Sequence, residues 1–291
     1  MQQPDVKAAL WNRHCALRAE DVLDPELFSL DPSPSLKAPM EGEGHHELKV
    51  YRMSSRENFP ILRDAHGISS LYFLDYASVL VVQQLNVLPT CKVLDLCAAP
   101  GGKSIAISQL LAGTGELTSN DCQVERYHRL KGVVSEYVPK NTACTVRVTQ
   151  KDGTLWHQPN YYDRVLVDAP CSAERHVVQQ GVAGWTPDQT KPLLQVKLLL
   201  RAFEAAKVGG SILYCTCSIS PTENDDVVAT ALSKTRVGVE TTKTEFSMGE
   251  PTGLGWMYLP DMCGGCGPIY CCGFKKCSEE KPVSSSSDCD T

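Results

Sequence analysis

The apolar residues follow two different rhythms along the chain. From Lys92 onward, short apolar runs alternate with longer stretches of helical period. The runs KVLDLC (92–97), GELTSND (115–121), TVRVTQKD (145–152), DRVLVDAP (163–170) and SILYCTCS (211–218) read as strands. Residues 103–112, 123–137, 192–207 and 222–233 read as helices between or after them. Strand and helix in regular alternation predict an α/β fold built on a doubly wound, mostly parallel sheet. GPIYCCGFKK (267–276) reads as a last strand. Ahead of Lys92, SSLYFLDYASVLVVQQLN (69–86) is apolar at helical spacing, with its serines as N-cap candidates, and predicts one helix. Residues 1–66 are polar, rich in Pro and acids, and weakly periodic. They read as a weakly structured extension with one or two helices. The expected organisation is an extension over 1–66, a main domain over 67–277 and a disordered low-complexity tail over 278–291. No internal repeat is visible.

Composition narrows the classes. A chain of 291 residues with 42% hydrophobic content can bury one sizeable core and a short extension. No apolar run reaches membrane-spanning length, so no membrane partner is expected. The opening residues carry no signal peptide, and Arg13 and Arg18 are followed closely by Glu20, Asp21 and Asp24, which makes a weak transit signal. Fourteen cysteines in a chain of this length, several inside apolar strands, read as buried thiols rather than a disulfide framework. The net charge of −6 argues against indiscriminate binding of nucleic acid. A nucleic-acid substrate would need a local basic patch, a further segment or a helper protein.

The chemistry gathers at the carboxyl ends of the strands. The first strand ends at Asp95, and a small-residue loop of Cys97, Ala98, Ala99, Pro100, Gly101 and Gly102 leads into a helix opened by Lys103. Such a loop lets a ligand approach the backbone, and the helix start offers free N–H donors. The loop lacks the first glycine of GxxxxGK[ST], and GxGxxG is absent too, so a nucleotide-like ligand without a triphosphate is favoured. Asp121, ending the second strand, suits the ribose hydroxyls of an adenosine. Asp152 ends the third strand within reach of an adenine amino group, although Asp-Gly is also a common turn. Asp168 ends the fourth, and all these ends converge on the crevice of an open α/β sheet.

Two cysteines stand at the same place: Cys171 after Asp168-Ala169-Pro170, and Cys217 within Thr216-Cys217-Ser218. Methylation of cytosine at carbon 5 needs such a thiol. A thiolate adding to carbon 6 makes carbon 5 an enamine nucleophile, and a base then removes the carbon-5 proton. An acid near N3 and N4 would stabilise the adduct, a role for which Asp168 is placed. Spacing alone leaves open which cysteine attacks.

These residues resemble a family. DLCAAPGGKS (95–104), DAPCS (168–172) and TCS (216–218), in this order, look like the Nop/Sun, or Fmu-like, RNA cytosine-5 methyltransferases. The resemblance covers about residues 68–276 and implies a Rossmann-like class I methyltransferase with a terminal antiparallel strand. It implies Cys217 as nucleophile, Cys171 as the residue that releases product, and residues 97–103 as the S-adenosylmethionine loop. Asp121, Asp152 and Asp168 match the remaining cofactor and base contacts, and Arg126 matches a basic position on the helix after the second strand. YFLDYASVLVVQQL, SEYVP (135–139) and PCSAERH (170–176) are most similar to the mitochondrial branch. This implies mitochondrial location and a ribosomal or transfer RNA substrate, and Asn120-Asp121 with His176 leans toward ribosomal RNA. The first 66 residues match no RNA-binding module.

Two other readings compete. Cys263 and Cys266 form a C-x-x-C pair, but no second pair completes a zinc site, and adjacent Cys271 and Cys272 would face opposite sides of a strand, so no metal is expected. A non-catalytic RNA-binding assembly factor would have no use for both cysteines and Asp168. Arg175, His176, Trp185, Lys191 and Lys197 are candidates for RNA contact near the mouth of the site.

Overall fold

The computed structural model describes residues 7–30, 47–53, 59–172, 188–242, 249–261, 263 and 265–281. Its centre is a nine-stranded sheet. Five strands run parallel: β5 (Lys92–Asp95), β6 (Glu116–Asn120), β7 (Thr145–Thr149), β8 (Tyr162–Asp168) and β9 (Ala206–Thr216). Their spatial order is 7-6-5-8-9, so the winding reverses at β5 and β8. At such a reversal the two connecting loops part and leave a crevice. Antiparallel strands complete the sheet: β13 (Ile269–Ser278) pairs with β9, and β10 (Gly238–Thr242), β11 (Glu250–Pro251) and β12 (Trp256–Tyr258) lie beyond it.

The helices follow from the alternation of buried faces. Val93, Leu166, Leu213 and Cys271 point to one face, where they pack with α2 (Tyr76–Gln84), α3 (Gly102–Leu110) and the end of α4 (Val124–Tyr137). Leu94, Val165, Val167, Ile212 and Cys272 point to the other, against α5 (Lys191–Ala205) and α6 (Asp225–Lys234). Successive strand residues point to opposite faces, so a sheet covered on both sides needs nearly continuous apolar strands. Cys271 and Cys272 do face opposite sides, each inside an apolar cluster.

The N-terminal part differs from its expectation. Besides one short helix, α1 (Ala19–Val22), its described residues hold three strands that were not expected: β1 (Lys7–Trp11), β2 (Phe28–Leu30) and β3 (Val50–Met53). With β4 (Leu71–Asp75) they form an antiparallel sheet ordered 2-3-1-4, which crosses the expected boundary after residue 66. The pairing is non-local, with Leu10 opposite Val50 and Tyr72, so no local rhythm announces it. The single helix expected over 69–86 is also corrected. Leu71–Asp75 is a strand, and the helix starts only at Tyr76. Asp75, not a serine, caps it by accepting the Ala77 N–H at 2.8 Å. The aromatic pair Tyr72 and Phe73 favours the pleated partner surface over a helix. Asn12, fully buried, binds this sheet to the larger unit by donating to the carbonyls of Ser69 and Tyr137, both at 2.8 Å. Residues 282–291, most of the expected disordered tail, lie outside the described residues. Among the described residues, no helix is long and apolar enough to cross a membrane.

Candidate active site

The loop after β5 is built to bring backbone close to a ligand. Gly101 caps α3 with φ +119°, a conformation L side chains avoid. A Cβ on Gly102 would stand 2.8 Å from the Tyr72 ring, so the helix start must be bare there. Ala98 donates to the Asn120 carbonyl at 2.7 Å, which aligns the loop with the end of β6. Asn120 ties three strand ends together. Its amide donates to the carbonyls of Leu96 and Lys151, and its carbonyl accepts from the Lys151 N–H and the Thr149 hydroxyl.

The acids of the crevice hold different environments. Asp95 is fully buried, and one oxygen accepts the Ser104 hydroxyl at 2.7 Å. Its other oxygen finds no partner among the described residues. Burial pushes its carboxyl up to about 7, with the nearby Asp168 and Asp121 adding to the shift against the Ser104 hydrogen bond and Lys103. Asp121 is buried and holds Arg126 at 3.0 Å, while Arg126 also donates to the Ala99 carbonyl at 2.8 Å. Asp152 spends one oxygen on the Thr154 N–H and hydroxyl, so it does cap the turn that follows it. It also lines an open cavity of about 440 Å³ with Cys122, Thr154, Thr190, Leu193, Leu194 and Lys197. Cys97 is held by burial, and by Asp121, Asp95 and Asp168, well above the thiol range, which makes it unreactive.

Lys103 reaches past the loop. Its ammonium donates to Asp168 at 2.7 Å and to Ser78 at 3.2 Å. Burial works against its charge, but Asp168, Cys215 and Asp95 outweigh this and hold the ammonium above the usual lysine range. Asp168 is therefore paired with a permanent cation at the point where β8 ends. Cys215 donates to its second oxygen at 3.4 Å. That thiol is fully buried and raised far above its ordinary range, chiefly by burial and then by Asp168.

The two motif cysteines meet. Cys171, after β8, and Cys217, after β9, bring their Sγ atoms into contact at 2.6 Å. β8 and β9 are parallel neighbours, so both thiols leave the same edge of the sheet beside Asp168. The contact with Cys171, then burial, pushes the Cys217 thiol up.

The residues around them were not singled out by the sequence patterns. Glu223, fully buried, accepts from the Ser172 N–H, the Gln195 amide and the Ser218 hydroxyl. Asn224 accepts the Thr216 hydroxyl at 2.7 Å and donates to the Ser218 carbonyl at 3.0 Å. Their only signal is the Glu-Asn pair a few residues after Cys217, where the sequence read a helix start. The helix α6 begins one residue later, at Asp225. Of the candidates for RNA contact, Arg175, His176 and Trp185 lie outside the described residues, Lys191 pairs with Asp188 at 3.5 Å, and Lys197 lines the cavity. Cys263 and Cys266 are buried, and no group of three or more His, Cys, Asp or Glu among the described residues is arranged to hold a metal ion.

A doubly wound sheet with acids and paired thiols at its switch point defines a Rossmann-like methyltransferase architecture. Residues 82–262 match the 16S rRNA methyltransferase RsmB/F family, and the chain belongs to that family. It is 37% identical over 238 residues to the 5-cytosine rRNA methyltransferase NSUN4 of Xenopus tropicalis, covering 74% of this chain and 58% of that protein. It is also 37% identical over 229 residues to a mitochondrial tRNA (cytosine(34)-C(5))-methyltransferase of Danio rerio, covering 72% of this chain and 61% of that one. The chain thus spans about three fifths of the length of both relatives. A methyltransferase homologue from Pyrococcus horikoshii shares the fold, with a TM-score of 0.69 at 24% identity over 94% of this chain and 87% of that one.

Proposed function

We propose that the chain methylates carbon 5 of a cytosine in RNA, using S-adenosylmethionine and a covalent adduct between Cys217 and carbon 6 of the base. The observation that carries this reading is the Cys171–Cys217 contact at 2.6 Å beside the Lys103–Asp168 pair. Methyl transfer to nitrogen or oxygen has no use for two thiols at one strand edge.

The crevice fits the cofactor. It offers an unpartnered buried oxygen on Asp95, a bare helix start at Gly101 and Gly102, and a cavity beside Asp152. Residues 97–103, Asp121 and Asp152 would hold S-adenosylmethionine, which supplies an electrophilic methyl group when bound. Arg126 orients Asp121 for the ribose. Asp168 stands where it can hydrogen-bond the cytosine edge, and Lys103 keeps its charge in place. Cys217 must lose its proton to solvent before it attacks, and the Lys103 ammonium favours the thiolate against the burial and the Cys171 contact that oppose it. After transfer, Cys171 is placed to assist removal of the carbon-5 proton, and elimination frees Cys217.

The substrate we favour is mitochondrial ribosomal RNA, and the location mitochondrial, in keeping with the ribosomal RNA relative and with Asn120-Asp121 and His176 of the sequence. Transfer RNA is the second reading, since the transfer RNA relative is equally identical. A chain of net charge −6 fits capture of RNA with the help of a basic partner protein. Transfer of labelled methyl from S-adenosylmethionine to ribosomal or transfer RNA transcripts, followed by bisulfite sequencing, tests the activity and the choice of RNA together. Absence of transfer to either would favour a non-catalytic assembly role.

A further inference from the structure

The Cys171 and Cys217 loops come from different connections, yet a single carboxylate joins them. Oε2 of Glu223 accepts the Ser172 N–H at 3.1 Å, on the residue that follows Cys171. Oε1 accepts the Ser218 hydroxyl at 3.2 Å, on the residue that follows Cys217. Gln195 of α5 closes the ring, donating from one nitrogen to Oε2 at 2.8 Å and to the Pro170 carbonyl, just before Cys171, at 3.0 Å. Glu223, Gln195 and Ser218 are all fully buried. The backbone of Glu223 is fixed in turn, because its carbonyl accepts the Tyr214 hydroxyl at 2.7 Å.

A buried carboxylate that touched neither loop would be a liability, since an isolated charge in the interior is strongly disfavoured. Here three donors satisfy it, at 2.8–3.2 Å. Two of those donors lie one residue from the two thiols. Glu223 bonds the residues that follow the thiols, so it acts through the loops. Catalysis that needs one thiol to attack and the other to take part in release depends on their separation, and small misplacements are costly.

We propose that Glu223 is a positioning residue that clasps the two cysteine loops and holds the thiols in contact. The inference rests on the cytosine chemistry proposed above only for its purpose, because the clasp itself is testable in the resting protein. The probe is diamide, which takes two electrons and two protons from the thiol pair, becomes the hydrazine and leaves a Cys171–Cys217 disulfide. The rate is read on the full-length chain as the Cys171–Cys217 linked peptide by mass spectrometry, under conditions where circular dichroism shows each variant folded.

Glu223→Ala should slow cross-linking by roughly tenfold or more, because the loops are no longer tied. Glu223→Gln can keep the shape, its carbonyl accepting from Ser172 and Gln195 while its amide donates to Ser218. It should return the rate to within about threefold of wild type. Ser218→Ala cuts only the Cys217 side, and should give an intermediate rate even if Glu223→Ala does not fold. In methyl transfer, Glu223→Ala should lower kcat with little change in KM for S-adenosylmethionine, which a general loss of structure would not spare. Cross-linking in Glu223→Ala as fast as in wild type overturns the proposal, as does Glu223→Gln as slow as Glu223→Ala. If wild type cross-links as expected but transfers no methyl group, the proposed function fails and the clasp stands.

Discussion

The two sheets use buried residues for different ends. The four-stranded sheet is antiparallel, and its fully buried residues Ala8, Ala9, Leu10 and Leu71 serve packing. Asn12, buried beside it, is satisfied by two carbonyls. In the nine-stranded sheet the parallel strands all end on one side, and there the buried groups are reactive or incompletely paired: Asp95 with a free oxygen, and Cys217 against Cys171. Parallel winding is what creates this difference. It sends every connection away from the same edge, so chemistry collects where two connections part. An antiparallel meander spreads its loops over both edges and has no equivalent point.

The largest expected effects come from breaking the thiol pair. Cys217→Ala should lower methyl transfer by roughly a thousandfold or more while cofactor binding survives, because the attacking atom is gone and the crevice is not. Cys171→Ala should still form the Cys217 adduct but stall before elimination. The expected product is a protein–RNA complex that survives denaturing electrophoresis and disappears on RNase treatment. A complex arising from Cys217→Ala instead would exchange the two roles. No substitution in the four-stranded sheet should produce either phenotype without unfolding the chain.

A smaller effect separates binding from chemistry. S-adenosylmethionine at a hundred times its Kd should raise Tm by about 4 °C, from roughly 2.7 kcal/mol of linkage in a chain of this size. Asp121→Ala should remove most of that shift, since the carboxylate proposed to accept the ribose hydroxyls also anchors Arg126. Differential scanning fluorimetry with and without cofactor measures it. A full shift in the variant would mean that Asp121 does not hold the ribose.

The same contrast explains what was legible in the sequence. The strands at 92–95, 116–120, 145–149 and 162–168 are short apolar runs bounded by loops, and each was visible within a few residues of its place. The acids and cysteines stood out because reactive residue types at strand ends are unusual in packing terms. β1 to β3 were hidden because their pairing spans some forty residues, as between Leu10 and Val50. β4 was hidden inside a longer apolar stretch whose helical spacing held only from Tyr76 onward. Glu223 and Gln195 were unreadable as a unit, since one carboxylate joins positions 172, 195 and 218, and nothing local marks that meeting.

The smallest expected effect, because two slopes cancel in the wild type, sets half-buried His14 of one region against fully buried Asp95 of the other. His14, just after β1, has its ring at 3.3 Å from the Ser108 hydroxyl, which itself donates to the Ile105 carbonyl. The hydroxyl is therefore the acceptor, and the imidazole is neutral. Burial, with Arg13 beside it, pushes His14 down to about 4, against the opposing hydrogen bond. Its folded value lies below the ordinary 6.5, so the unfolded chain binds more protons in between. The stability this contributes is present above pH 6.5 and is lost as pH falls toward about 4. Asp95 has the opposite sign. Its carboxyl rises from 3.8 to about 7, so the folded chain binds more protons, and its contribution is present below pH 3.8 and lost as pH rises through about 7. Each is nominally on the order of 3 kcal/mol over its full window, and the windows overlap from about pH 4 to 6.5. The wild-type chain should therefore show a nearly flat Tm across that overlap. His14→Gln should leave the Asp95 slope alone, with Tm falling as pH rises. Asp95→Asn should leave the His14 slope, with Tm rising with pH. Thermal melts of the three proteins between pH 4.5 and 6.5 decide it, and parallel curves would show that neither group titrates as its burial requires.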